Sequence, residues 1–164
     1  MPITEPWTTS VPEWYAASSN PSLGNGTLEL VQRRFDETLL LRLTLLTGSS
    51  TSYGSGRWIF DIGRLLSTTE PERPSALTVV PPNAIVPAVA VTAAGVRYGG
   101  FAEVTFDVDF LVFSPVDGPQ PVEIMPYFDH DGDGVASRAS STVPFAWAAG
   151  CSLVIGSAMR AVGN

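Results

Sequence analysis

Apolar and polar residues alternate with a period of two along much of the chain. Across residues 38–46, leucine occupies every position of one face, whereas Arg42 and Thr44 interrupt the other. Residues 102–112 repeat the pattern, with small and large apolar side chains on one face and acidic or hydroxyl side chains on the other. Successive side chains of a β-strand point to opposite faces of the sheet. Both segments are therefore predicted to be strands with one buried face.

Shorter segments with the same character predict further strands. They cover residues 27–34, 57–62, 77–80, 85–92, 122–128, 145–148 and 152–155. Turn-forming residues separate them at 23–26, 47–56 and 131–134, and residues 36–37 are a candidate hairpin turn. Fourteen prolines and fifteen glycines leave few windows in which a helix could extend. The chain is predicted to be all-β: a single-domain antiparallel β-sandwich, jelly-roll-like, with helix confined to short turns.

The first twenty residues differ from the remainder. They combine proline with aromatic side chains, at Pro2, Pro6, Pro12, Trp7, Trp14 and Tyr15. Proline favours extended backbone, so residues 1–20 are predicted to be an extended N-terminal arm and residues 21–164 the sandwich module. The aromatic rings require a surface to cover, either the sheet of the same chain or that of a neighbouring subunit.

Charge and cysteine content narrow the functional classes. Nine basic residues, all arginine, oppose sixteen acidic ones, and the net charge of −7 disfavours nucleic acid and anionic membrane surfaces as partners. The single cysteine, Cys151, excludes an internal disulfide bond. Neither a signal peptide nor an apolar segment long enough to span a membrane is recognisable. We therefore expect synthesis in a cytoplasm and no insertion into a membrane.

Residues 129–134 (Asp-His-Asp-Gly-Asp-Gly), here called the acidic turn, form the one candidate ligand site. Asp129, Asp131 and Asp133 occupy positions 1, 3 and 5 of a calcium-binding loop, and Gly134 occupies position 6. Position 12 would be Ser140, which lacks the bidentate carboxylate such loops use. Asp-Gly pairs between strands also form ordinary tight turns. We favour the turn and predict no cofactor, with calcium binding by the three aspartates as the alternative.

The sequence gives little support for a catalytic site. His130, the only histidine, lies within the acidic turn, and Ser55 lies in a Gly-Ser-Gly segment predicted to be a flexible loop. Asp107 and Asp109 share one face of a predicted strand, a position typical of solvent-exposed carboxylates. We predict that the chain is not an enzyme.

Three segments resemble a known module. Residues 20–28 (Asn-Pro-Ser-Leu-Gly-Asn-Gly-Thr-Leu), residues 48–60 (ending Gly-Ser-Gly-Arg-Trp-Ile-Phe) and residues 144–150 (Pro-Phe-Ala-Trp-Ala-Ala-Gly) follow one pattern. The pattern resembles a β-rich module of minor tail, tail-fibre and related virion proteins of tailed bacteriophages. Cys151 departs from it, because aspartate usually stands there, and residues 65–138 do not match it.

This resemblance implies a virion protein displayed on the particle surface, which forms a homotrimer and contacts other virion proteins. Two placements remain open: a minor tail or fibre-tip protein that attaches to the host, with a cell-surface glycan as a partner, or a capsid decoration protein. The alternative function is a carbohydrate-binding or carbohydrate-active β-sandwich, in which Tyr53 and Tyr98 stack on sugar rings. Trp58 and Trp147 are predicted to lie in the core.

Overall fold

The structure, a computed structural model, describes residues 6–35, 38–62, 83–106 and 122–160. These residues form ten β-strands and no helix. The strands are β1 (Thr8–Ser10), β2 (Glu13–Ala16), β3 (Thr27–Phe35), β4 (Thr38–Leu46), β5 (Trp58–Asp61), β6 (Asn83–Val91), β7 (Arg97–Phe106), β8 (Val122–Phe128), β9 (Ser137–Arg138) and β10 (Ser152–Arg160). The prediction of an all-β chain is confirmed for the part described.

All ten strands belong to one antiparallel sheet. Its order is β1-β3-β4-β10-β6-β7-β8-β5-β2, with β9 paired to β8. The β3–β4 and β6–β7 hairpins are local in sequence, whereas β10 is inserted between β4 and β6. The last described strand therefore joins the two hairpins.

The sheet is curled, and the N-terminal segment shows why. β1 and β2 lie at opposite edges of the strand order, yet only Val11 and Pro12 separate them. Three Cα–Cα steps span at most about 11 Å. A flat sheet would hold its first and ninth strands about 38 Å apart. The two edges must therefore approach each other, and the predicted arm (1–20) supplies a strand to each.

Alternation along each strand separates a core face from an outer face. Leu41, Leu43 and Leu45 of β4 are buried, whereas Arg42 and Leu46 on the opposite face are exposed. The other long strands show the same alternation, and the buried faces of the curled sheet enclose one hydrophobic core. Its largest fully buried side chains are Trp58, Phe60, Phe128, Leu30, Leu43, Leu45, Ile124, Leu153, Ile155, Val86 and Val104.

Strand direction divides the connections between the two ends of the sheet. One end, here called the loop end, carries the connections at residues 17–26, 47–57, 92–96, 129–136 and 139–151. Residues 36–37, 63–82, 107–121 and 161–164 lie outside the described residues. The candidate turn at 36–37, the strand predicted at 77–80, and Asp107 and Asp109 fall among them.

One predicted strand is wrong. Residues 145–148 lie in the connection between β9 and β10, not in the sheet. The Trp147 backbone N–H donates to the Ser141 carbonyl at 3.3 Å, and its indole N–H donates to the Val143 carbonyl at 3.2 Å. These donors are bonded within the connection itself, where a strand would direct its backbone donors to a neighbouring strand.

Candidate functional site

Two of the three segments that carry the resemblance interlock at the loop end. The Asn25 side-chain oxygen accepts hydrogen bonds from the Ser50 backbone N–H and hydroxyl, both at 2.9 Å. The Asn25 amide nitrogen donates to the Ser49 hydroxyl at 3.1 Å. Thr51 Oγ1 donates to the Leu23 carbonyl at 2.7 Å and accepts from the Gly48 N–H at 2.8 Å. The 47–57 connection is thus tied to the turn before β3.

Glycine is required where these loops meet. Gly24 and Gly54 have φ angles of 57° and 61°, a backbone region that side chains disfavour. A Cβ atom at Gly24 would collide with the Ser50 carbonyl oxygen, and one at Gly54 would collide with the Ser19 carbonyl oxygen. Nearby, the Ser55 and Ser19 hydroxyls share a hydrogen bond of 2.8 Å. Ser55, weighed above as a catalytic candidate, makes a loop-to-loop contact.

The third segment, residues 144–150, is hydrogen-bonded to Thr47, which is buried beside the second segment. Thr47 Oγ1 donates to the Ala148 carbonyl at 2.6 Å, and the Gly150 N–H donates to the Thr47 carbonyl at 2.9 Å. The Thr47 N–H donates to the Cys151 carbonyl at 2.9 Å. Thr47 and Ala148 lie 101 residues apart in sequence. The segments of the resemblance therefore form one structural unit.

An aromatic cluster lies beneath the loop end. The Trp58 ring meets Trp14 edge-on at 4.8 Å between centroids and Trp147 at 4.9 Å, and Phe145 packs against Trp147 at 4.7 Å. The Trp58 indole N–H donates to the Tyr53 carbonyl at 3.1 Å. Trp58 and Trp147 are 0% and 6% exposed, which confirms their predicted core positions.

Tyr53 and Tyr98, the candidates for stacking on sugar rings, are both half-buried. Each packs against the core, and the Tyr98 ring lies 5.2 Å from the ring of Phe145. A ring that stacks on a sugar must present one open face. Packing against the core occupies part of the surface that such stacking would use.

The acidic turn brings together its three predicted ligands. Carboxylate oxygens of Asp129, Asp131 and Asp133 lie within 4.8 Å of one another, and all three residues are exposed. Ligands around calcium at 2.3–2.6 Å are separated by no more than about 5 Å, so the spacing allows a hard cation. The same carboxylates also accept backbone hydrogen bonds, from Gly132 and Gly134 to Asp129 at 2.9 and 3.0 Å and from Val135 to Asp133 at 2.7 Å. The turn is thus held by its own backbone donors.

His130 is exposed in the same turn. A general base needs a reacting group within hydrogen-bond reach and, in most triads, a carboxylate that orients the imidazole. For His130 no such hydrogen bond is formed to any residue that the structure describes.

Carboxylates line up on the outer face near one sheet edge. Glu13 of β2 stands opposite Asp61 of β5, which stands opposite Glu123 of β8. We call these three residues the acidic row. The Tyr15 hydroxyl donates to Glu123 at 2.5 Å. Partial burial and this carboxylate raise the pKa of Tyr15 above its ordinary value.

Tyr127 forms a second tyrosine–carboxylate pair on this face. Its hydroxyl donates to Glu103 at 3.3 Å, and its ring stacks on Phe101 at 5.1 Å. Burial is the main cause that raises the pKa of Tyr127, with the Glu103 charge second. In both pairs the phenol keeps its proton and donates a hydrogen bond to a carboxylate oxygen.

An apolar groove of about 560 Å³ lies on the outer face across β3, β4, β10 and β6. Its lining includes Trp7, Val31, Leu40, Arg42, Val89 and Val154. The groove was not predicted from the sequence, although the sequence carries a signal for it. Residues 84–91 and 153–156 are apolar on both faces of their strands, a pattern typical of strands covered on both sides.

Comparison of the chain with protein-family models, curated proteins and solved structures finds no match. Within the described ranges, no helix has the length and apolar character needed to cross a membrane. The bacteriophage resemblance accordingly remains a prediction that depends on the quoted residues.

Proposed function

We propose that this chain is a structural protein of a tailed-bacteriophage particle, displayed on the particle surface as a homotrimer and without catalytic activity. One observation carries the proposal. The segments that resemble the virion module are distant in sequence, yet they join through Asn25, Thr51 and Thr47 into one layer at the loop end. A shared folding unit gives a physical reason for such a pattern, whereas scattered coincidental matches would have no reason to meet.

The chemistry of the loop end suits display. Residues 18–26 and 47–56 of this end are mostly serine, threonine, asparagine and glycine, and several of their hydroxyls are bonded to neighbouring loops, whereas the acidic turn at the same end carries three exposed aspartates. Loops held rigidly on a sheet scaffold are common binding surfaces. Neutral hydroxyl-rich loops present hydrogen-bonding groups without strong charge, which suits contact with other virion proteins or with a host glycan.

For the fold we propose the sandwich-like form of the curled sheet, with two halves packed across the single core in a jelly-roll-like manner. The core includes residues from both halves, such as Leu30 and Leu43 on one side of the strand order and Phe60 and Ile124 on the other. Face-to-face packing of two sheet layers produces such a core.

The proposed location is the virion, after synthesis in the host cytoplasm, and the protein needs no cofactor there. Both placements, tail and capsid, are compatible with a rigid loop end. Calcium at the acidic turn is a subsidiary possibility that the carboxylate spacing allows. The carbohydrate-binding alternative has no comparable support, because Tyr53 and Tyr98 pack against the core.

Immunogold electron microscopy with antibodies raised against the recombinant chain tests the proposal. Particles purified from lysed source cultures should carry label in symmetric positions, at the tail for a tail protein or over the shell for a decoration protein. Mass spectrometry should find the chain in the same particles. Its absence from purified particles, with abundance in the cell lysate, would overturn the virion role. Specific binding to a glycan array together with that absence would favour the carbohydrate-binding module.

A further inference from the structure

We propose that the Asn25–Gly26 peptide is a modification site, where the asparagine deamidates spontaneously once the turn opens, and that contacts with residues 48–51 hold it unreactive in the closed fold. The inference does not depend on the proposed function. It concerns the covalent chemistry of the loop end, whatever surface the loop end contacts.

The sequence at this position has the chemistry for the reaction. The backbone nitrogen after an asparagine can attack the side-chain carbon Cγ, and a following glycine allows the closest approach because it lacks a Cβ atom. The new C–N bond closes a succinimide ring, and the side-chain amide leaves as ammonia with the proton of the backbone N–H. Water then opens the ring at either carbonyl, which gives aspartate or isoaspartate. Asn25–Gly26 is the single Asn-Gly pair of the chain, and Asn25 is exposed to water.

The backbone nitrogen of Gly26 is turned away from its target. Its N–H donates to the Leu23 carbonyl at 2.9 Å. Because the peptide unit is planar, the electron pair released by loss of this proton lies along the former N–H direction. It therefore points at the Leu23 oxygen and not at the Asn25 side chain. Attack requires rotation of the Asn25–Gly26 peptide and loss of this hydrogen bond.

The Asn25 side chain is held by the neighbouring connection. Its Oδ1 accepts from the Ser50 N–H and hydroxyl, both at 2.9 Å, and its Nδ2 donates to Ser49 Oγ at 3.1 Å. The Asn25 N–H donates in turn to Ser50 Oγ at 2.9 Å. Gly48 packs so closely that a Cβ atom there would collide with Oδ1. The Cγ atom cannot swing toward Gly26 until these contacts break.

Two of these contacts favour the reaction in one respect, and geometry decides between the effects. Donors on Oδ1 stabilise the negative charge that develops on this oxygen during attack, as an oxyanion hole does. That stabilisation acts only when the attacking nitrogen lies within bonding reach of Cγ. In the closed turn the Gly26 N–H is committed to Leu23, so the restraint prevails. The reaction therefore proceeds through local opening of the loop end.

Reaction at this site is irreversible for the turn. Both products lose the amide nitrogen that donates to Ser49, and isoaspartate also lengthens the backbone between Leu23 and Thr27 by a methylene group. Thr27 is the first residue of β3 and is paired with Leu46 of β4. The lengthened turn cannot close on residues 48–51 as before, so one opening event leaves a permanent change at the loop end.

Deamidation rates of the full-length chain test the proposal. Peptide mapping by mass spectrometry follows Asn25 at one mildly alkaline pH and one temperature, in buffer and in guanidinium chloride. A synthetic peptide with the sequence of residues 20–30, in both solutions, corrects for the effect of the denaturant on the chemistry. A typical hydrogen bond changes the population of an open state about fivefold, and several must break together here. Asn25 should therefore react at least about tenfold more slowly in the folded chain than in the unfolded chain.

Variants identify the contacts responsible. Ser50→Ala removes both bonds of the Ser50 hydroxyl and should accelerate deamidation of the folded chain at least about threefold. Ser55→Ala is the matched control, because its hydroxyl lies in the same connection but bonds to Ser19, and its rate should equal that of the native chain. Far-ultraviolet circular dichroism verifies that each variant is folded. If Ser50→Ala does not fold, Ser49→Ala, which loses only the bond to the Asn25 amide nitrogen, takes its place.

The outcomes separate the two proposals. Equal rates in the folded and the unfolded chain would overturn the protected modification site, as would a folded Ser50→Ala chain that deamidates as slowly as the native one. A faster reaction in the folded chain would show that the donors on Oδ1 assist attack, and would overturn it as well. None of these results would contradict the virion role, which depends on finding the chain in particles.

Discussion

Removal of the Trp58 side chain tests whether the aromatic cluster holds the loop end to the sheet. The side chain is fully buried and touches rings from two other parts of the chain, Trp14 before β3 and Trp147 before β10. Truncation of a buried tryptophan to alanine typically lowers the free energy of unfolding by about 3–5 kcal/mol. Loss of the indole N–H also leaves the Tyr53 carbonyl without this donor, which adds about 1 kcal/mol.

Trp58→Ala should therefore lower the free energy of unfolding by about 4–6 kcal/mol in total, a large part of the roughly 5–15 kcal/mol that stabilises a typical domain. Trp58→Phe retains a ring but loses the hydrogen bond and part of the buried area, so its cost should be smaller. Trp7→Ala is the matched control, because Trp7 is 53% exposed and packs on Arg33 outside the core. Its removal should cost less than about 1 kcal/mol.

Urea denaturation followed by far-ultraviolet circular dichroism gives the three free energies without relying on tryptophan fluorescence. The reasoning requires the order Trp58→Ala, Trp58→Phe, Trp7→Ala, from most to least destabilising. Comparable losses for the buried and the exposed tryptophan would refute it. A Trp58→Ala protein that remains fully stable would show that the cluster does not connect the loop end to the sheet.

Three further predictions concern the loop end and the acidic groups. Thr51→Val should lower the free energy of unfolding by about 1–3 kcal/mol, because the Gly48 N–H and the Leu23 carbonyl each lose their hydrogen bond to Oγ1. Ser52→Ala, at an exposed site, is the control and should change the free energy of unfolding little. Chemical denaturation compares the two variants. Replacement of all three aspartates of the acidic turn by asparagine should leave the melting temperature in chelator unchanged. A rise of the native melting temperature with calcium that this triple variant abolishes would instead establish the metal site. The pKa of Tyr15 is raised in the folded state, so its protonated hydroxyl contributes fully to the free energy of unfolding below pH 10, and this contribution is lost as the pH rises further. Tyr15→Phe should therefore make the free energy of unfolding, measured by urea denaturation, less dependent on pH above pH 10. An unchanged pH dependence would contradict this.

Much of the local structure was predictable from the sequence. Leucines at every second position of β4 indicated which residues face the core, and burial of Leu41, Leu43 and Leu45 confirms the face. The strand predicted at 122–128 matches β8. Tryptophan in an alternating apolar segment predicted the burial of Trp58. These features depend on side-chain periodicity, which is a property of neighbouring residues and needs no knowledge of the partner strand.

The acidic turn was also predictable, because Asp-Gly pairs have local conformational preferences. Gly132 and Gly134 adopt φ angles of 75° and 82°, which glycine accommodates without strain. The 47–57 connection was predictable as a loop from its glycines and hydroxyls. The hydrogen bonds of Thr51 and Asn25 that tie it to the turn before β3 were not, because that turn lies more than twenty residues earlier.

Only the tertiary structure decided which strands are neighbours. Insertion of β10 between β4 and β6, and the division of the N-terminal segment between two sheet edges at Pro12, leave no trace in local periodicity. The same is true of the groove and of the acidic row, where Glu13, Asp61 and Glu123 come from three separate segments. Alternation assigns each residue to a face of its strand, but the free energy that selects a neighbouring strand arises from contacts between residues far apart in the chain. For that reason the strands could be read from the sequence, whereas the surfaces they build together could not.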